Sequence, residues 1–465
     1  LPRSLFDRTE HPNPFIWVKI EGMKQQPHIL LVHPWITDFA AYNFWVKPLG
    51  LLSIGSLLRA HGLRVSLIDC LDEPATSKPY GDGKFKRTII EKPKPLRFFP
   101  RHYSRYGISE EAFQERLRSV GKPDLVAITS GMTYWYPGLF AVVERVKDTF
   151  GAVPVVLGGI YATLCEDHAK RYSGADLVFK GGEILGALRT ICGLLDVDSL
   201  PSVHGTTDPL MEGLFFPAFD LYPQLSYVCI ATSKGCPLRC TYCASHLLSK
   251  GYVRRQPDRV IEEIRYWVLH HGVRNFAFYD DALLLDSENH MIPILKELIR
   301  ENLGCYFHAP NGLHIREIHE ELAQLLYQGG FKTIRLGFET SIEATQLQTG
   351  GKVGNDDLRR AVKYLTQAGY RDEEIGVYIM AGLPGQRAEE VEASVAFVRE
   401  IGARPMLVEY SPIPGTPLFE QAKRVSPFDL ENEPLFHNNS ILPCAWEGFT
   451  LDDYKRIKSA LRKRY

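Results

Sequence analysis

No apolar run in this chain reaches the ~20 residues that a membrane-crossing helix needs, although 45% of its 465 residues are hydrophobic. Neither charge sign dominates: 54 Lys and Arg stand against 55 Asp and Glu, a net charge of -1. That balance advertises neither nucleic acid nor an anionic membrane as a partner. Cysteine is sparse. The nine present are an odd number, too thinly spread for a disulfide framework, so a reducing cytoplasm is the expected compartment. No Gly-x-Gly-x-x-Gly follows an apolar run, which argues against a nicotinamide site. Tandem repeats at solenoid periods and low-complexity tracts are missing too. The opening stretch LPRSLFDRTEHPNPF lacks the charged-then-apolar pattern of a secretory signal. Residues 1–27 are read as an extension outside the fold.

What is present is a long alternation of short apolar runs and helical patterns. The length suggests two or three domains. HILLVH (28–33), RVSLID (64–69), DLVAITS (124–130), PVVLGG (154–159) and ADLVFKGGE (175–183) read as strands, with helices at 49–62 and 138–149 between them. Buried strands interleaved with helices predict a parallel, doubly wound, Rossmann-like sheet over 28–195. Residues 72–118 interrupt it with a stretch rich in Pro, Gly, Lys and Arg, read as a clasp or as a lid on a substrate site. Residues 196–224 read as a linker. A second series follows over 225–426. Its strand candidates lie at 226–232, 275–280, 305–309, 333–338, 375–382 and 405–410, with helical patterns near 257–271, 287–302, 316–329, 355–369 and 387–402. Six such units make a partial (β/α)6 barrel. A small, largely helical segment, 427–465, closes the α/β chain.

Three cysteines fall together in SKGCPLRCTYCASH: Cys236, Cys240 and Cys243, spaced C-x3-C-x2-C. Structural zinc wants four ligands, so a fourth would have to be His246 or something remote. A redox dithiol leaves Cys236 unexplained. A [4Fe–4S] cube held by three thiolates keeps one iron free for a substrate or cofactor. The loop follows an apolar strand, and on barrels ligands gather at the carboxyl ends of strands. The isolated Cys70, Cys165, Cys192, Cys229, Cys305 and Cys444 read as small buried hydrophobes.

The stretch GCPLRCTYC, with its flanking Gly, Pro and aromatic, resembles the cluster loop of the radical SAM superfamily, and the resemblance runs from about 225 to 420. It implies a [4Fe–4S] cluster on Cys236, Cys240 and Cys243. S-adenosylmethionine (SAM) would be cleaved reductively there to a 5′-deoxyadenosyl radical, with a flavodoxin or ferredoxin as reductant. It also implies that Asp280 and Asp281 in FYDDAL accept from the SAM amino group, the alternative being a helix cap. Glu339 in RLGFET would take ribose hydroxyls. Arg335 would meet an anionic group or a structural acid. Gly382 and Gly385 in MAGLPGQ would let adenine approach the backbone. His308 and Asn311 are candidates for the substrate side.

The domain ahead of the barrel resembles the cobalamin-binding domain of one branch of that superfamily, through KPLGLLSIGSLLRAHGLRVSLID (47–69), SGMTYWYPG (130–138), VVLGGIYATLCEDH (155–168) and GADLVFKGGE (174–183). Thr133, Tyr134, Gly158, Gly159 and Thr163 are the implied cobalamin contacts. Tyr134, Trp135 and Tyr136 would either pack on the corrin or fill its place. The Asp-x-His-x-x-Gly motif is absent, and His33 reads as a loop or core residue. The expected activity is cobalamin-dependent methyl transfer to an unactivated carbon or phosphorus. The alternatives are a cyclisation, rearrangement or oxidation, or an iron–sulfur electron carrier without catalysis. Methylthiolation would want a second cysteine trio, which Cys70, Cys165 and Cys192 are too dispersed to form.

Overall fold

The five apolar runs of the first third pair side by side. In a computed structural model that describes residues 26–197 and 208–462, they form one all-parallel sheet. The predicted extension, part of the linker and the last three residues lie outside the described residues. In sheet order the strands are Leu177–Val178, Val155–Leu157, Leu125–Ile128, His28–His33 and Arg64–Asp69. The order reverses between His28–His33 and Leu125–Ile128, which makes that gap the topological switch point of a flavodoxin-order sheet. Both faces are covered. Leu30, Val32, Val126 and Ile128 pack against Tyr136–Phe150 on one side, and Ile29, Leu31, Leu125 and Ala127 meet Leu49–Ala60 and Ile184–Leu194 on the other. Two-sided burial is why these strands read as continuous apolar runs rather than alternating ones.

Segment 72–118 builds structure of its own. Ile36–Asp38, Tyr103–Tyr106 and Arg87–Ile90 form one small antiparallel sheet, and Tyr42–Asn43, Gly83–Phe85 and Pro74–Ser77 another. Its last part, the helix Glu110–Val120, is a crossover helix of the main sheet, with Phe113 and Leu117 in that core. Next to these small sheets, Trp45 stacks on His308 with ring centroids 4.2 Å apart, and Tyr80 meets Tyr306 at 5.3 Å. The two domains are thereby pinned together.

The second sheet has six parallel strands in chain order: Val228–Ile230, Asn275–Phe278, Tyr306–His308, Phe331–Glu339, Ile375–Ala381 and Arg404–Glu409. Helices Pro257–His271, Met291–Glu301, Glu320–Gln328, Asn355–Ala368 and Ala388–Glu400 connect them. The partial barrel expected from the sequence is the barrel observed. Pro257 opens its helix and Gly272 closes it in the left-handed region, the usual places for those residues. After helix Pro417–Val425 the chain runs back over the first domain, through Pro434–His437 and Asn439–Ile441, before the closing helix Leu451–Arg462. Among the described residues, no helix is long and apolar enough to cross a membrane.

Candidate functional site

Beyond the first barrel strand, Ser233–Lys234 pairs antiparallel with Val253–Arg254 and closes the neck of a loop spanning 235–252. Gly235 (φ +79°) sits where a Cβ would lie 2.0 Å from Gly251 O, so only glycine permits the neck to close. Arg255 anchors the return side. Its N–H donates to Thr232 O at 2.8 Å, and its guanidinium pairs with Glu263, both side chains buried.

Cys236, Cys240 and Cys243 are free thiols on this loop, close enough to influence one another electrostatically. Burial pushes the Cys236 and Cys243 thiols up, and Cys240 and Asp281 add to it. Metal binding must therefore displace protons. Among the described residues, no group of three His, Cys, Asp or Glu converges tightly enough to hold one ion. Zn–S bonds of about 2.3 Å demand such convergence. A cube of four irons accepts wider spacing, so the donor set fits a cluster better than a lone zinc. Gly350 (φ +116°) presses on the loop from outside: a Cβ there would stand 3.1 Å from Cys240 Cα. Thr241 N donates to Thr349 O at 3.2 Å, and Leu418 N to Thr241 O at 3.0 Å.

The predicted acids divide. Asp280 is 3% exposed, and its Oδ1 accepts from Thr232 N (3.0 Å), Thr232 Oγ1 (2.7 Å), Ser233 N (2.5 Å) and Ser233 Oγ (2.6 Å). It fixes the entry to the cysteine loop, its Oδ2 also accepting from Thr232 N at 3.2 Å, and is buried away from the thiol-facing surface that Asp281 occupies. This corrects its expected SAM role. Asp281 is exposed beside the thiols, with Oδ2 accepting from Ser245 Oγ at 2.6 Å. Glu339 ends the fourth strand at a register shift with φ +74°, a left-handed conformation costing about 1–3 kcal/mol for a non-glycine residue. Its Oε1 accepts from Lys352 Nζ at 2.6 Å and from Tyr242 OH at 3.2 Å, which ties the strained strand end to the residue before Cys243.

The other candidates lie in varied surroundings. Gly382 (φ +87°) belongs to a turn closed by Gln386, whose Oε1 accepts from Gly382 N at 2.8 Å. Its Cβ direction points at Leu442 of the C-terminal segment, 3.1 Å away. Gly385 stands in open space. His308 is fully buried, bonded through Nδ1 to Thr333 Oγ1 at 2.9 Å and covered by Trp45. It is structural. Asn311 donates to Tyr279 O at 3.1 Å. Arg335 donates to Ile334 O at 2.8 Å and meets the Tyr378 hydroxyl, with no carboxylate paired to it among the described residues. His33 is held by Asp69 through Nδ1 at 2.9 Å.

At the carboxyl edge of the first sheet, the C-terminal segment has taken positions assigned to the corrin. Thr133 Oγ1 pairs with His437 Nδ1 at 2.9 Å, and Tyr134 is buried beneath Asn439. Trp135 Nε1 donates to Asp38 Oδ2 at 2.8 Å, and Tyr136 OH donates to Glu433 Oε1 at 3.0 Å. These bonds hold Tyr134 and Tyr136 against the C-terminal segment and Trp135 against Asp38. Thr163 Oγ1 donates to Gly159 O at 2.8 Å and accepts from Gly181 N at 3.3 Å, tying two loops together. Gly159 is glycine because its Cβ would lie 2.4 Å from Ser130 O. Gly158 alone of the five faces open space. A small recess at the switch point is lined by His33, Ser130 and Met132 and narrowed by Trp35, Trp135 and Tyr136; such sheets take ligands at this edge. Of the five residues, Gly158 is the one that keeps open space at this edge, while Thr133, Tyr134 and Thr163 are engaged by neighbouring segments.

Two residues at the thiol loop escaped the sequence reading. Lys352 lies buried near Cys240 and Cys243. Burial works against its charge, yet Glu339 and those thiols hold its pKa above the ordinary value. His314 has Nε2 4.0 Å from Cys236 Sγ, and burial together with Lys352 lowers its pKa to about 4. The only signal for Lys352 was a cation in the glycine-rich turn TGGKVG; His314 had none.

A three-thiol loop beyond the first strand of a partial parallel barrel is the layout of a radical SAM enzyme. Residues 230–398 match the model of the Radical SAM superfamily, so this stretch is a radical SAM domain. It is similar to the uncharacterized methyltransferase PH0819 of Pyrococcus horikoshii, 26% identical over 404 residues, covering 77% of this chain and 82% of that protein. The anaerobic magnesium-protoporphyrin IX monomethyl ester cyclase of Rubrivivax gelatinosus is 23% identical over 363 residues. That match covers 70% of this chain and 63% of the cyclase, less than two thirds of its length. Among solved structures, the radical SAM methyltransferase TsrM of Kitasatospora setae, with cobalamin and a [4Fe–4S] cluster bound, shares the fold. Its TM-score is 0.63 at 17% identity, covering 87% of this chain and 80% of that one.

Proposed function

We propose that this enzyme is a cobalamin-dependent methyltransferase acting on an unactivated carbon or phosphorus centre. One observation carries the reading: the carboxyl edge of the first sheet touches the cysteine loop. Helix Ile160–Leu164, directly after Gly159, packs on helix Ser245–Leu248, which begins two residues past Cys243. Lys234 Nζ donates to Gly182 O at 2.7 Å across the same seam. A group held at Gly158 and a group held at the three thiols would face one reaction space. The curated methyltransferase relative and the cobalamin-binding structural neighbour support the same assignment.

When bound, a [4Fe–4S] cluster with its open iron supplies the electron that breaks a sulfonium–carbon bond of SAM, and cobalamin supplies a methyl carrier. The chain's own residues hold and shield these groups. Cys236, Cys240 and Cys243 would hold the cluster. Asp281, its Oδ2 held by Ser245 Oγ, would accept from the SAM ammonium through Oδ1. Glu339 keeps Oε2 for a ribose hydroxyl while Lys352 and Tyr242 fix Oε1. The Gly350 turn keeps water from Cys240, which is 9% exposed. The electron comes from a flavodoxin or ferredoxin.

The cyclase relatives favour a second reading, ring formation from the same radical. Anaerobic reconstitution with cobalamin, SAM and reductant separates the two. Methyl transfer yields S-adenosylhomocysteine alongside 5′-deoxyadenosine once substrate is present, and cyclisation yields 5′-deoxyadenosine alone. A cluster whose EPR signal does not move on adding SAM would instead indicate an electron carrier.

A further inference from the structure

His314 enters none of the roles above, yet the fold goes to some length to place it. It follows the third barrel strand, in a turn locked to the fourth: Leu313 N donates to Arg335 O at 2.6 Å, and Gly337 N donates to Leu313 O at 3.4 Å. The backbone that carries the imidazole is thus part of the barrel, not a free loop. The ring reaches the cysteine loop at Cys236, whereas Gly350 abuts Cys240. Its Nε2 stands 4.0 Å from Cys236 Sγ, while Nδ1 is buried with no hydrogen-bond partner. A buried ring nitrogen without a partner is costly, and a fold that keeps one must gain elsewhere from holding the ring there. Of the two ring nitrogens, Nε2 is the one that faces the sulfur.

We propose that His314 is a positioning residue for the iron–sulfur cluster, its Nε2–H donating to the Cys236 sulfur that ligates one iron. The inference rests on the thiol loop holding a [4Fe–4S] cluster. A neutral thiol accepts a hydrogen bond weakly, whereas an iron-bound thiolate accepts it strongly, so the contact tightens only when the cluster is present. Hydrogen bonds to cluster sulfurs draw off negative charge and favour the reduced state, raising the reduction potential. The three ligands are then served unequally: His314 donates to Cys236, while Lys352 lies near Cys240 and Cys243.

The test compares anaerobically reconstituted wild type, His314→Gln and His314→Phe by potentiometric titration followed by EPR. Gln keeps an N–H donor; Phe keeps the ring volume and removes it. The expected result is equal iron and sulfide content, a midpoint potential shifted negative in His314→Phe, and partial recovery in His314→Gln. Pulsed EPR of the reduced wild-type cluster, made with 15N-histidine, is expected to show a nitrogen coupling that His314→Gln abolishes. Equal potentials in all three proteins, or no 15N coupling in wild type, overturns the proposal. If His314→Phe does not retain its cluster, His314→Gln and the wild-type coupling decide. A wild-type protein that assembles no SAM-responsive cluster sinks the radical SAM reading instead. An intact, SAM-responsive cluster with unchanged potentials removes only the role of His314.

Discussion

Replacing Asp280 with alanine separates a carboxylate that builds the site from one that binds in it. Oδ1 accepts from two backbone amides and two hydroxyls within 3.0 Å, all at the start of the cysteine loop. The Thr232 hydroxyl keeps another partner, His290 Nε2 at 2.9 Å, and the Ser233 hydroxyl has Tyr252 beside it. The Thr232 and Ser233 amides have no such recourse. A hydrogen bond to a charged group contributes about 1.5–3 kcal/mol, and stranding a buried donor costs about 1–3 kcal/mol. Burial opposes the charge and pushes the Asp280 pKa up in spite of those donors, so the net value falls below the sum. Asp280→Ala is expected to lose about 3–5 kcal/mol of stability. Asp280→Asn, which keeps an acceptor at the Oδ1 position, is expected to lose about 1–2 kcal/mol. Urea unfolding of the cluster-free protein reads the first quantity, and iron per chain after reconstitution reads its effect on the loop. An Asp280→Ala protein with wild-type unfolding and full iron, but with SAM binding abolished, would refute the reasoning: the carboxylate would then be meeting the ligand.

Three further outcomes are expected. Burial works to raise the Asp69 carboxyl, but His33, Lys47 and Tyr222 bring it down to about 2 from an ordinary 3.8. That difference stabilises the fold by about 2 kcal/mol above pH 3.8 and is lost as pH falls toward 2; Asp69→Asn should lose it at pH 7 and flatten the acid limb of a denaturation–pH profile. Gly350→Ala should displace Cys240, since its Cβ would lie 3.1 Å from that Cα in a left-handed turn; lower iron retention without global unfolding is the expected readout, and full iron would refute it. Gly158→Leu should leave the fold intact, because nothing lies within 4 Å of its Cβ direction; bound cobalt, measured after growth with cobalamin, should fall, whereas Thr133→Val should leave cobalt unchanged.

Much of the architecture was legible along the chain. All six barrel strands and the five strands of the first sheet lie inside or overlap the apolar runs read as strands. Strands buried on both faces announce themselves as unbroken apolar runs, and helices by their period and glycine stops. The cysteine trio was equally plain, because its meaning lies in short-range spacing. The misreadings concern side chains with two plausible partners. Asp280 and Asp281 are adjacent and identical in type, yet one faces Thr232 and Ser233 and the other faces the thiols. Thr133 and Tyr134 sit beyond the correct strand end, but residues some 300 positions later cover them.

The linear chain by itself determined the two α/β layers, their order, and the three thiols of one loop, because each depends on neighbours a few residues apart. Which acid props the loop, how Glu339 is strained toward Lys352 and Tyr242, that His314 reaches Cys236, and that 433–441 fills the edge of the first sheet were decided only on folding. Those contacts join segments tens to hundreds of residues apart, and no local pattern encodes which of several polar groups a folded backbone will bring within 3 Å.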